Sequence, residues 1–287
     1  MRDLVFAETL LHESEHFKWY GDPGTISGDI SMFYDYMEQC YTKIAGFLGY
    51  EPTGYLKIPI HIDPSSQCPG SVGGGTGEGK LSYCAGSWTD NMYCRWILPH
   101  ELVNLYTGYV TAGWPWADGS PIWHGESPFP FFVALETMRT LNYGSMADNL
   151  EATTNPILHG QISMLKEYTN TFGWGAWKRM FAKMMEKKEN LTKYTEPTLT
   201  HRVFAYMTYG AGLDPIPGII SLLQKYGFTV DQNLLLQMFK DLIGGFKISY
   251  AELTLIFGGV TLFGGIAFYA YRKRPKAKVE VKTGKVG

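Results

Sequence analysis

Residues 253–271, LTLIFGGVTLFGGIAFYAY, carry no charged side chain, and this run restricts the architecture of the chain more than any other stretch. Its length is about what a helix needs to cross a bilayer, and the competing reading is a buried core helix. The segment after it, RKRPKAKVEVKTGKVG, holds seven Lys/Arg against one acid. Basic residues clustered beside a span mark the cytoplasmic side. The expected organisation is a body over residues 1–248, a single transmembrane helix over 249–271 and a cytoplasmic tail over 272–287, with the body on the outer face of the cell membrane. An external body needs an export signal, yet the apolar run at residues 4–7 is broken by Glu8 and no small-residue cleavage site follows. Either the true start lies upstream or the topology is inverted; the first is the expectation.

The tail takes seven of the 25 basic residues and one of the 27 acidic ones, which leaves 18 against 26, or about −8, for the body. An acidic body argues against nucleic-acid binding, which needs a basic face. With 45% hydrophobic and 15% aromatic residues, 287 residues suffice for one large domain or two modest ones. The four cysteines, Cys40, Cys68, Cys84 and Cys94, lack the CxxC spacing of a zinc knuckle. In an extracellular body one or two disulfides are expected, Cys68 to Cys84 first among them; the alternative is four buried thiols.

Helical spacing of Phe33, Tyr36, Met37, Cys40, Ile44 and Leu48 predicts one amphipathic helix between Asp29 and Gly49. Alternation of Ile58, Ile60 and Ile62 predicts a strand, which Pro59 would favour at a sheet edge. The glycine-rich segment after Cys68 reads as a loop leading into a short strand. From Ile97 onward the pattern is helical, punctuated by proline and glycine, with no internal repeat. The body therefore divides into a mixed part, 1–96, and a mainly helical part, 97–248.

Two stretches have the spacing of a zinc-peptidase helix, in which residues four apart share one face and the glutamate beside the first ligand acts as base. HESEH, His12 to His16, places Glu15 between the candidate ligands. It reads as a solvated terminal segment. In ILPHELVNLYTG, apolar neighbours surround His100 and Glu101. Two polar groups so placed need partners or a ligand. Downstream, Trp123 precedes Glu126 by three residues, and Glu126 lies 22 residues after Asn104.

That order of helix, edge strand, glycine-rich strand, HExxH-like helix and W-x-x-E segment resembles the gluzincin metallopeptidases. The resemblance spans residues 16–245 and implies an α+β fold, with a small mixed sheet whose edge strand packs on a zincin-like helix. It also implies a zinc cofactor and a peptide or protein substrate. By it His100 is the first metal ligand, Glu101 the general base, Asn104 the second-ligand position and Glu126 the third ligand. Oxyanion stabilisation would come from a later helix carrying His201, Tyr206 and Tyr209. Asn104 departs from the family's histidine, offering a carbonyl oxygen on a shorter side chain. Three outcomes follow: a weaker metal site completed by water, substitution by His124 or His201, or an empty site in a pseudo-peptidase. The resemblance thus implies a membrane-anchored peptidase, or else a catalytically inactive surface binding module or membrane-complex subunit.

GGTGEGKL nearly spells a phosphate-binding loop, but leucine replaces the hydroxyl residue and no helix is expected after it. In the peptidase reading this glycine-rich segment leads into the strand that pairs with an extended substrate. Trp114, Trp116 and Trp123 either wall a cleft or pack beneath the helix. Asn190 opens an NLT sequon, compatible with an exterior location.

Overall fold

The computed structural model describes residues 8–52, 56–77, 79–111, 128–195, 197–212 and 216–244, all within the compact unit Met1–Gly245. The uncharged run, the basic tail, the three tryptophans, His124 and Glu126 lie outside the described residues. Among the described residues no helix is long and apolar enough to cross a membrane.

The architecture is α+β: a five-stranded mixed sheet and, among the described residues, nine α-helices. The strands are β1 (Thr9–Glu13), β2 (Phe17–Gly21), β3 (Ile58–Ile62), β4 (Val72–Gly77) and β5 (Lys80–Ala85), in the order β1-β2-β3-β5-β4. The two outer pairs are antiparallel and the inner pairs, β2 with β3 and β3 with β5, are parallel.

Three expectations are corrected here. HESEH runs from the last two residues of β1 through the turn to β2, and its histidines part company: the His12 ring stacks on Tyr34 at 4.1 Å, whereas His16 Nδ1 lies 2.6 Å from a Glu38 carboxylate oxygen. Residues four apart meet on a helix, and a strand-turn-strand path separates them. Next, β3 occupies the middle of the sheet despite Pro59. Ile58 N donates to His16 O on the β2 side and Asp63 N to Tyr83 O on the β5 side. Alternation therefore turns the donorless Pro59 nitrogen towards β5, one residue before the Ile60–Leu81 pair that begins that ladder. No bond is lost there. Finally, the glycine-rich loop is itself a strand: Val72–Gly77 pairs residue for residue with β5, because ladder pairing outweighs glycine's weak strand preference. Cys68 and Cys84 form the expected disulfide and close this hairpin, while Cys40 and Cys94 are buried thiols.

A 3₁₀ turn at Ile30–Phe33, whose Ser31 N donates to the Asp29 carboxylate, leads into α1 (Tyr34–Leu48). Gly49 ends α1 at φ 83°, a left-handed conformation suited to glycine, and all six residues of the predicted apolar stripe are buried. The remaining helices are α2 (Met92–Thr111), α3 (Pro128–Thr140), α4 (Gly144–Ala152), α5 (Pro156–Phe172), α6 (Trp174–Lys187), α7 (Thr198–Ala211), α8 (Ile216–Lys225) and α9 (Gln232–Ile243).

The hub is α2, which packs against α1, α3, α4, α6, β4 and β5 and buries apolar residues all round, as a fully enclosed helix does. It also contains Pro99, which cannot donate to the carbonyl four residues back. That carbonyl, Arg95 O, is satisfied instead by the Tyr36 hydroxyl at 2.6 Å, so α1 supplies the bond that the proline removes. The Arg95 guanidinium lies between 4.4 and 4.8 Å from the ring centres of Phe33, Tyr36 and Tyr143, and its Nε donates to Asp90. The helix thereby enters the core with a fixed rotation.

Candidate functional site

On either side of Pro99, α2 carries Trp96, His100, Glu101 and Asn104, and the helix packs on the edge strand β4. His100 and Glu101 are each only 7% exposed. Burial without a charged partner holds the His100 pKa down at about 3, so the ring is neutral at physiological pH. Among the described residues its Nδ1 has no hydrogen-bond partner, nor has Trp96 Nε1. The two rings lie 4.7 Å apart, and Phe131 of α3 packs on both.

Glu101 is held from two sides. Asn104 Nδ2 donates to its Oε2 at 3.1 Å, and the Thr76 hydroxyl on β4 reaches the same oxygen at 3.0 Å. Burial raises the carboxyl pKa, and these two hydrogen bonds pull it partly back. For the other oxygen, Oε1, the nearest cationic or ring nitrogen among the described residues is His100 Nε2, at 4.0 Å, beyond hydrogen-bonding distance. The helix comes this close because β4 lacks a side chain at residue 74: a Cβ there would sit 2.6 Å from Glu101 Cγ.

The hydrogen bonding of β5 determines which way β4 faces. Tyr83 O accepts from β3, so Ser82 and Cys84 turn their backbone groups towards β4. Gly73 and Gly75, opposite them, point inward. Val72, Gly74 and Thr76 therefore present backbone N–H and C=O groups along the outer edge of the sheet, where no strand pairs with them among the described residues. The same alternation puts Gly74 and the Thr76 side chain on the face that meets Glu101. An open strand edge and a buried carboxylate thus lie side by side.

The residues expected from sequence divide into two groups. His100, Glu101 and Asn104 come together on α2; Glu126 lies outside the described residues. The candidates on α7 belong to another neighbourhood, since α7 packs on α6, α8 and α9. His201 has both ring nitrogens occupied by backbone, with Nδ1 2.8 Å from Pro197 O and Nε2 accepting from Asp231 N at 2.9 Å. No nitrogen is left to meet an oxyanion or a metal. Tyr206 donates to Glu189, which also binds Arg202. Tyr209 is half-buried, with the Lys183 ammonium 5.5 Å from its ring centre. Thr76, Gly74 and Trp96 are the site residues that motif reading passed over. Thr76 and Gly74 had a signal in sequence, their two-residue spacing within a strand.

A zinc ion requires three protein donors in a catalytic site. His100 meets the requirement with a buried, unpartnered nitrogen, but Asn104 turns a donor group to Glu101. Among the described residues no three His, Cys, Asp or Glu side chains are grouped to hold a metal ion. The described residues therefore do not fit a zinc site. No family model, no characterised protein and no solved structure matches this chain.

Proposed function

We propose that this chain is a membrane-anchored, gluzincin-like surface protein whose groove between α2 and the β4 edge holds an extended peptide without hydrolysing it. The observation that carries this reading is the free edge at Val72, Gly74 and Thr76 beside Glu101. An extended peptide adds to such an edge through main-chain hydrogen bonds. The glycines of β4 let its backbone approach closely, and Asn104 ties Glu101 in place where the resembled family has a ligand. The Cys68–Cys84 disulfide supports an oxidising, external setting for the body, and the uncharged run at 253–271 supports a single membrane anchor.

A second reading, peptide hydrolysis with Glu101 as general base, is favoured by the open His100 nitrogen, which suits a ligand that the described residues do not complete. One preparation tests both. The full-length chain in detergent should contain no stoichiometric zinc, should bind peptides, and should lose that binding in Gly74→Val, where the new side chain displaces Glu101. Near-stoichiometric zinc lost in His100→Ala, together with cleavage abolished by Glu101→Gln, would replace the first reading with the second.

A further inference from the structure

Among the described residues, Glu101 is a buried carboxylate without a cationic partner. Its hydrogen-bond partners are an amide, Asn104, and a hydroxyl, Thr76. Among the described residues no Lys or Arg forms an ion pair with it. The segment that follows α2, residues 112–127, contains no Lys or Arg in its sequence. The other buried acids differ: Glu189 is paired with Arg202, and Glu151 with Arg139 and Lys166. Buried charges are normally paired, because desolvating a lone one is costly. Glu101 also keeps Oε1 open, and the unpartnered Trp96 Nε1 and His100 Nδ1 stand on the same stretch of helix.

Resting on the peptide-binding reading, we infer that the ligand itself brings the missing charge. The groove takes a peptide by its free amino terminus, with the ammonium group donating to Glu101 Oε1 and the following residues pairing along β4. Asn104 and Thr76 are positioning residues: by occupying Oε2 they leave Oε1 as the acceptor for the incoming group. A peptide whose amino terminus is acetylated offers a single neutral N–H at that point and leaves the carboxylate uncompensated.

The test uses the full-length chain in detergent with EDTA, so that no metal supplies the charge. The probe is an equimolar mixture of random octapeptides, amidated at the C-terminus and prepared in free-amine and N-acetylated forms. Retention is read by mass spectrometry. The free-amine form should be retained at least about tenfold better, and the two forms should become equal in Glu101→Gln, with folding checked by circular dichroism. Equal retention of both forms by the unsubstituted chain would overturn this inference and leave the peptide-binding reading standing. Retention of neither would overturn both. A preference that persists in Glu101→Gln would remove Glu101 as the ammonium's partner.

Discussion

Among the described residues, the polar cluster around Arg202 on α7 and the one around Glu101 on α2 are both buried, and their hydrogen bonding is opposite. On α7, the Arg202 guanidinium binds Glu189, Asp241 and the Met238 carbonyl, Tyr206 closes on the same glutamate, and His201 joins two backbone segments. These groups partner one another. On α2, among the described residues, His100 Nδ1 and Trp96 Nε1 have no partner, and Glu101 has hydrogen bonds on one oxygen but no opposing charge. Buried polar groups cost free energy unless satisfied. A fully satisfied cluster is explained by stability alone, whereas one left open points to a ligand. Motif reading had given both helices catalytic candidates; the hydrogen bonding separates them.

Four substitutions or conditions sharpen that contrast, in falling order of expected effect. Glu189→Ala removes the buried carboxylate that Arg202 and Tyr206 share, leaves the guanidinium only the exposed Asp241 and the Met238 carbonyl, and should cost about 3 kcal/mol in denaturant unfolding. A cost near zero would mean that the α7 cluster does not support the fold. Gly74→Val forces a side chain into the space of Glu101 Cγ and should cost about 2 kcal/mol, with peptide binding lost in parallel.

Acidification probes His100. Its folded pKa, about 3, lies below the unfolded value near 6.5, so the unfolded chain takes up the proton first. This contribution is fully present above pH 6.5 and is lost as the pH falls towards 3. Stability should drop by about 1.4 kcal/mol per pH unit through that window on account of this ring, and His100→Leu should remove that part of the slope. An unchanged slope in the variant would show that His100 is not buried as a neutral ring.

Glu101→Gln is the smallest and the most telling. The folded carboxyl is raised above its unfolded value, so its penalty appears as the pH rises through the folded pKa. Removing the charge should stabilise the protein at neutral pH by about 1 kcal/mol. A loss of stability would place Glu101 with Glu189, as a structural acid.

Much of the helical layer is legible in the sequence. The stripe from Phe33 to Leu48 gives α1, and the apolar surround of His100 and Glu101 gives a buried α2. The sheet is less so. A histidine motif hides β1 and β2, and a glycine run hides β4. Strand pairing is long-range: nothing local in GGGTG says that β5 will bind one edge and leave the other free.

By itself the sequence determined the uncharged run, the acid excess of residues 1–271 and the helix that carries His100 and Glu101, because periodicity, charge and spacing are properties of neighbouring residues. Only the tertiary structure decided that Asn104 and Thr76 converge on one oxygen of Glu101, that Tyr36 replaces the bond lost at Pro99, and that His201 is consumed by backbone. Each of these depends on a hydrogen bond whose direction is set by how elements pack. That packing separates an available nitrogen from an occupied one, and residue type cannot.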